Sequence, residues 1–207
     1  MSYYSEISYG TRDQWFMTLY YNRWFRNMTG PILDVACAAG DFIAVKPDIV
    51  EGFDIDEDNL RRARQKGFKV RRIDIDNGEM SQLQNDMYEG VMASQVIEHL
   101  DHPKELLLQI KRILKPNGKA IILTPNFPHN ADLFWDDYTH KRPFTRKALR
   151  MIAYDAGFSD VHISEDFRCM PGMGWLMRSF RISPDALGRM QRLVFIRGTS
   201  WILELKK

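Results

Sequence analysis

The strongest constraint on this chain is a rhythm. Short apolar runs of strand length alternate with segments whose apolar residues recur at helical spacing. The runs are Pro31–Ala36, Ile49–Asp54, Phe68–Ile73, Gly90–Ser94 and Lys119–Thr124, with Phe158–Ser164 and Ser200–Lys206 further on. Between them, Asp56 is placed to cap a helix through Leu60 and Ala63 that Gly67 ends. A short helix is expected near Met80–Leu83. Pro103 suits the first position of a helix reaching Lys115, with Leu106, Ile110, Ile113 and Leu114 on one stripe and Pro116-Asn117-Gly118 as its stop. Thr145 opens a last helix through Leu149, Ile152 and Ala153 that ends at Gly157. Strands this short and this continuously apolar are buried on both faces. The pattern therefore predicts an α/β fold with a mostly parallel sheet covered by helices on both sides.

With 207 residues the chain is expected to be one domain. Hydrophobic residues make 44% and charged residues 27%, a balance that excludes a disordered or collagen-like chain. No apolar run approaches the ~18–20 residues of a membrane span. Only Cys37 and Cys169 are present, and no charged segment followed by an apolar one opens the sequence, so a cytoplasmic location is expected. Two segments break the rhythm. Residues 1–30 are aromatic and open with Thr11 and Gln14 spaced as a capping box, which predicts a helix packed on the core or serving as a lid. Residues 165–198 are rich in Met, Arg and Gly and read as an insertion before the last strand. Charge is also divided. Tyr138–Lys207 holds thirteen Lys and Arg against six Asp and Glu, a net of +7, and residues 1–137 carry a net of −5.

In an open α/β sheet, ligands sit outside the carboxyl ends of the strands. The first strand ends at Asp34 and runs into the small-residue loop Ala36–Gly40, where backbone can approach a ligand closely. The second ends at Asp54 and Ile55; Asp54 lies twenty positions after Asp34, where a carboxylate suits a ribose diol. The third ends at Asp74 and Ile75, a carboxylate for an adenine amino group beside an apolar contact for its ring. The fourth ends at Ser94 and Gln95, a polar loop facing whatever group reacts. Each position alone also fits a turn or a cap. Their order along the strand ends is the informative feature.

These residues carry a resemblance. Ile32-Leu-Asp-Val-Ala-Cys-Ala-Ala-Gly40 and Gly52-Phe-Asp-Ile-Asp56 resemble the first two motifs of class I S-adenosylmethionine-dependent methyltransferases. Val96-Ile-Glu-His-Leu100, Leu114-Lys-Pro-Asn-Gly118 and Leu123-Thr-Pro-Asn126 are similar to the small-molecule branch that includes ubiquinone-type and polysaccharide-pathway enzymes. The resemblance implies a Rossmann-like sheet of seven strands, order 3-2-1-4-5-7-6, with the seventh antiparallel. It implies S-adenosyl-L-methionine as cofactor. Asp34 through Gly40, Ala36 included, would hold its methionine end, Asp54 its ribose, Asp74 and Ile75 its adenine, and Ser94 with Gln95 would close over the sulfonium. The chain departs from the family at Ala36 and Ala38, where glycine is usual. A methyl fits there if φ stays negative, and it narrows the cradle.

Methyl transfer needs alignment first, and a hydroxyl acceptor also benefits from a base. His99, beside the reactive loop, and His140, in the long loop after the fifth strand, are the candidates; a capping or loop-stabilising role is the plainer alternative for each. Asp136, Asp137 and His140 also suit a metal, but their pattern is not diagnostic and no metal is expected. Cys37 belongs to the cofactor loop as a small buried residue. No aromatic-basic interleaving suggests nucleic acid. In the basic region, Arg168, Arg178, Arg181, Arg189, Arg192 and Arg197 alternate with Met and aromatic residues, which fits a flap over an anionic, phosphate-bearing acceptor such as a sugar or glycan intermediate. The same composition also suits peripheral contact with a membrane surface. Two other functions share these features. A non-catalytic S-adenosylmethionine-binding partner protein fits the two alanines. A nicotinamide-dependent oxidoreductase fits the acidic ribose contact but lacks the spaced glycines.

Overall fold

A computed structural model of the chain describes residues 14–166 and 199–207. Helix α1 spans Gln14–Trp24, followed by strand β1, Ile32–Val35, and strand β2, Val50–Asp54. Helix α2 covers Glu57–Gln65, β3 Val70–Arg72 and β4 Tyr88–Ser94. Helix α3 covers Pro103–Ile113, β5 Leu114–Pro125, and α4 is a single turn, Ala131–Phe134. Helix α5, Arg146–Asp155, precedes β6, Asp160–Asp166, and β7, Ser200–Lys206. The sheet has seven strands in the order β3-β2-β1-β4-β5-β7-β6. The first five strands pair in parallel, and β7 runs antiparallel to both β5 and β6. This is the expected architecture.

Strand alternation sorts the core into two layers. Leu33, Val35, Val91, Ala93, Ala120 and Ile122 point to one face and meet Leu106, Ile110, Leu149 and Ala153 of α3 and α5. Ile32, Met92, Ile121 and Leu123 point to the other and meet Tyr20, Tyr21, Trp24 and Phe25 with Leu60 of α2. The period of two along each strand and of 3.6 along each helix is what brings these sets together. Helix α1 therefore packs on the core. Asp56 and Thr145 cap as expected: Asp56 accepts from the Asn59 N–H at 2.9 Å and Thr145 from the Ala148 N–H at 3.2 Å. No described helix is long and apolar enough to cross a membrane. Thr11, Cys169 and the arginines of residues 167–198 lie outside the described residues.

Strand β4 begins at Tyr88 rather than Gly90 and β3 covers Val70–Arg72 rather than Phe68–Ile73, and three further differences have local causes. Helix α3 ends at Ile113 rather than Lys115, because Leu114 is already extended and pairs with Tyr88. Pro116-Asn117-Gly118 therefore lies inside a long β5, with Asn117 at φ 65° where the chain turns between Leu114 and Lys119. The turn expected as a short helix near Met80 is a 3-10 turn, Glu79–Gln82. Strand β6 continues past Ser164, since Glu165 and Asp166 pair with Trp201 and Ser200. The sheet thus takes up the first two residues of the expected insertion.

Candidate active site

The carboxyl ends of β1 to β4, joined by the loop after β5, enclose a cavity of about 780 Å³. That is a volume for a nucleoside-sized ligand. Asp34, Ala36, Asp54, Ile55, Asp74, Ile75, Ser94, Gln95, His99 and His140 all line it, drawn from segments over a hundred residues apart. Gly40 does not line it. Gly40 sits at φ 83°, and a Cβ there would stand 2.6 Å from Cδ2 of Phe68. Its lack of a side chain serves the turn and the packing behind it.

The loop after β1 is tied to the end of β2. The Cys37 N–H donates to the Phe53 carbonyl at 2.9 Å, and the Ala38 N–H donates to Asp54 Oδ2 at 2.8 Å. Asp54 Oδ1 accepts from the Asp56 N–H at 2.8 Å. A carboxylate has about four acceptor positions, so Asp54 anchors two loops without exhausting its acceptor capacity. Burial raises its carboxyl above the usual carboxylate range, against the pull of the Asp56 and Ala38 N–H groups, and the neighbouring Asp56 carboxylate pushes it further the same way. Ile55 next to it is 47% exposed, an apolar side chain on the cavity wall. Cys37 is buried; burial first, then Asp34 and Asp54, push its thiol up, so it is no nucleophile.

Contrary to expectation, the two alanines do not keep negative φ. Ala36 has φ 55° and Ala38 φ 46°. Gln95, at the end of β4, has φ 56°. Three of the five described non-glycine residues in the left-handed region therefore line this cavity. Left-handed backbone costs an L-residue about 1–2 kcal/mol, and such strain gathers at functional sites. Ala36 and Ala38 occupy the glycine conformation without being glycine. Gln95 is held by its own N–H, which donates to the Leu123 carbonyl at 2.8 Å, and its buried Nε2 has no hydrogen-bond partner among the described residues.

Asp74 Oδ2 accepts from the Asn77 side chain at 2.8 Å, so it carries a turn as well as facing the cavity. Asp76, which the sequence reading passed over, accepts from the Asp101 N–H at 3.1 Å and ties the β3 loop to the β4 loop. Among the described residues, the lining holds six aspartates, Asp34, Asp41, Asp54, Asp74, Asp76 and Asp137, against Arg62 and Lys141. This acid excess favours a cationic ligand.

The histidines meet. His99 and His140 have ring centroids 4.7 Å apart, and the His140 ring stacks on Phe134 at 4.3 Å. The Thr139 hydroxyl donates to Asp137 Oδ1 at 2.6 Å, so toward His99 it can only accept. His99 Nδ1 lies 2.9 Å from that hydroxyl and 3.2 Å from the Thr139 carbonyl, and must carry the proton. His140 Nδ1 lies 2.6 Å from the Phe134 carbonyl and is a donor by the same reasoning. In its neutral form each ring is thereby the tautomer with the lone pair on Nε2, and Nε2 of His140 lies 3.9 Å from Asp137 Oδ2. Burial, then the neighbouring His140, lowers the His99 pKa. Thr139 and Asp137 orient this pair; the signal in the sequence was their place in Trp135-Asp-Asp-Tyr-Thr-His140. Asp136 faces solvent and does not line the cavity.

A family model described as a methyltransferase domain matches residues 11–163. The ubiquinone biosynthesis O-methyltransferase of Rickettsia prowazekii is 32% identical over 113 residues, covering 50% of this chain and 43% of that protein. The same enzyme of Rickettsia felis is 31% identical over 105 residues, covering 46% and 41%. The chain thus spans less than half the length of these curated relatives. Among solved structures, an S-adenosylmethionine-dependent methyltransferase from Archaeoglobus fulgidus superposes with a TM-score of 0.75 at 24% identity over 100% of both chains. Phosphoethanolamine N-methyltransferase 2 of Haemonchus contortus, in complex with S-adenosyl-L-methionine, gives 0.66 at 16% identity over 93% of this chain and 52% of that one. At such identities the structures speak for the fold alone. The family match takes in the acidic strand ends and the loop that Asp54 anchors, and the chain belongs to the methyltransferase domain family, in its class I S-adenosylmethionine-dependent form.

Proposed function

We propose that this chain transfers the methyl group of S-adenosyl-L-methionine to a hydroxyl oxygen of a small molecule. The observation that carries the reading is the meeting, at one cavity, of strand-end carboxylates with two imidazoles of set tautomer. The cofactor, when bound, supplies an electrophilic methyl on a cationic sulfonium. The residues present suit it. An acid-rich lining favours its positive charges, Asp54 keeps acceptor positions for ribose hydroxyls, and Ile55 and Ile75 offer apolar contact to a base. Asp34 and the backbone from Ala36 take the methionine end, Asp74 takes the adenine amino group, and Ser94 and Gln95 face the sulfonium side. The Nε2 lone pair of His99, with His140 beside it, takes the proton of the acceptor hydroxyl. Holding acceptor and methyl in line is the larger contribution.

Similarity to ubiquinone biosynthesis O-methyltransferases supports an oxygen acceptor. A narrower reading, an anionic acceptor such as a phosphate-bearing sugar or glycan intermediate, is favoured by the net +7 of Tyr138–Lys207. Calorimetry with S-adenosylmethionine, S-adenosylhomocysteine and NAD tests the cofactor reading, with Asp54→Ala as the comparison. Binding of the first two, lost in the variant, is expected. NAD binding alone would overturn it, and S-adenosylmethionine binding without turnover of any hydroxyl acceptor would favour a non-catalytic partner protein. Thermal-shift screening against nucleotide sugars addresses the narrower reading; indifference to every anionic compound would refute it.

A further inference from the structure

The two histidines have a third neighbour. Glu98, which precedes His99, is fully buried, and one ligating atom each from Glu98, His99 and His140 lie within 4.8 Å of one another. We infer that these three side chains form a site for one divalent transition-metal ion at the wall of the methyl-transfer cavity. The inference rests on the methyl-transfer reading of that cavity given above and changes one part of it, the imidazole as proton acceptor.

Four observations carry it. The donor set is two imidazoles and one carboxylate, which suits zinc, cobalt, manganese or iron and leaves positions for further ligands. Both imidazoles donate their Nδ1–H to a backbone carbonyl or to a hydroxyl that cannot itself donate to them, so the neutral ring of each is the tautomer with its lone pair on Nε2. That outer contact is the usual device by which a protein aims a metal-binding histidine. The carboxylate is also aimed: Glu98 Oε2 accepts from the Thr124 hydroxyl at 3.0 Å. Finally, the Glu98 carbonyl accepts from the N–H groups of Lys141 and Arg142 at 2.9 and 3.0 Å. These backbone bonds pin the segment bearing His140 against the segment bearing Glu98 and His99. In the sequence, Asp136, Asp137 and His140 suit a metal but none is expected; the fold places His140 beside His99 and Glu98, residues 41 and 42 positions earlier.

An ion here acts as a Lewis acid on the acceptor. A hydroxyl bound to it gives up its proton more readily. The proton leaves to solvent, an oxygen lone pair forms the new O–CH3 bond, and the electrons of the S–CH3 bond stay on sulfur. With the ion bound, His99 and His140 hold it instead of taking the proton.

The test uses the full chain stripped with a chelator, then titrated with Co2+ and followed by visible absorption and calorimetry. One equivalent of cobalt with the ligand-field bands of a nitrogen- and oxygen-bound ion is expected. His140→Ala and the isosteric Glu98→Gln should each weaken binding by at least the ~10–100-fold that loss of an outer-shell contact costs. S-adenosylmethionine binding, measured in the same stripped samples, reports whether each variant is folded. No cobalt binding by a stripped protein that still binds S-adenosylmethionine refutes the metal site and leaves the proposed function standing. Cobalt binding unchanged in both variants refutes the ligand set. Cobalt binding lost in the variants, without S-adenosylmethionine binding by the wild type, would uphold the metal site and overturn the function proposed above.

Discussion

Ala38→Gly should stabilise the protein, whereas Ala36→Gly should leave its stability nearly unchanged. Both alanines hold left-handed backbone, at φ 46° and 55°. For an L-residue that region costs about 1–2 kcal/mol. Glycine removes the cost but adds about 0.4–1 kcal/mol of unfolded-chain entropy. The backbone alone therefore favours glycine by ~0.5–1 kcal/mol at either position. The methyl groups separate the two sites. Ala38 is exposed, so its methyl contributes little. Ala36 is partly buried against the larger apolar cluster, and losing a buried methyl costs up to ~0.8 kcal/mol, which cancels the gain. In a chain of 207 residues, 1 kcal/mol shifts Tm by about 2–4 °C, so Ala38→Gly should raise Tm by about 1–4 °C. Urea unfolding should show a higher midpoint at an unchanged slope. The Ala38 N–H bond to Asp54 is made by backbone and survives the change. A destabilised Ala38→Gly, or a gain at Ala36 larger than at Ala38, would refute the strain argument.

Three further outcomes follow from the same geometry. The raised carboxyl of Asp54 means that the folded chain holds this proton to higher pH than the unfolded chain does. Its ionisation therefore weakens the fold as pH rises from about 3.9 to the raised value. Ribose hydroxyls donate to the ionised form, so S-adenosylmethionine affinity should rise across that same window; calorimetry at stepped pH checks this, and a flat profile contradicts the ribose role. Asp54→Asn should remove the pH dependence and cost about 1–3 kcal/mol, since one amide oxygen cannot serve both the Ala38 and Asp56 N–H groups in that arrangement. Gly40→Ala should lose about 2–4 kcal/mol in urea unfolding, from positive φ plus the contact with Phe68, while the folded fraction keeps its S-adenosylmethionine affinity. Thr139→Val removes the nearer of the two acceptors that orient His99, leaving the Thr139 carbonyl, and removes the hydroxyl donor to Asp137. Turnover should fall about tenfold, the equivalent of ~1.4 kcal/mol, with cofactor affinity unchanged and recovery in Thr139→Ser; an equal loss in Thr139→Ser would remove the orienting role.

What could be read from the sequence divides along a physical line. Elements made by local periodicity were legible: Leu106, Ile110 and Ile113 are buried on α3 as their spacing requires. The strand ends were legible because burial on both faces leaves a polar residue such as Asp54 or Asp74 little choice but the carboxyl edge of the sheet. Strand order was not a matter of period; it came with the resemblance. The sign of φ at Ala36 and Ala38 was hidden, since alanine ordinarily avoids that region and only the closure of the loop onto Asp54 imposes it. Gly40 was assigned to the ligand because glycine loops often meet one, yet its absent side chain makes room for Phe68.

The same line explains why Glu98 stayed unnoticed. A buried glutamate in the sequence Val96-Ile-Glu-His-Leu100 reads as a helix start, and nothing local marks its carboxylate. Its meaning depends on His140, which is brought to it by backbone bonds from Lys141 and Arg142 and turned by the Phe134 carbonyl. A fully buried carboxylate is costly unless its surroundings compensate the charge. The Thr124 hydroxyl donates one hydrogen bond to it, and the Nδ1 contacts of the two histidines select the neutral tautomer whose lone pair is on Nε2. A divalent cation among these three groups satisfies the carboxylate and both lone pairs at once. The place of Glu98 and the aim of the two histidines thus converge on one ion, and it lies beside the cavity where the acceptor must be brought to the methyl group.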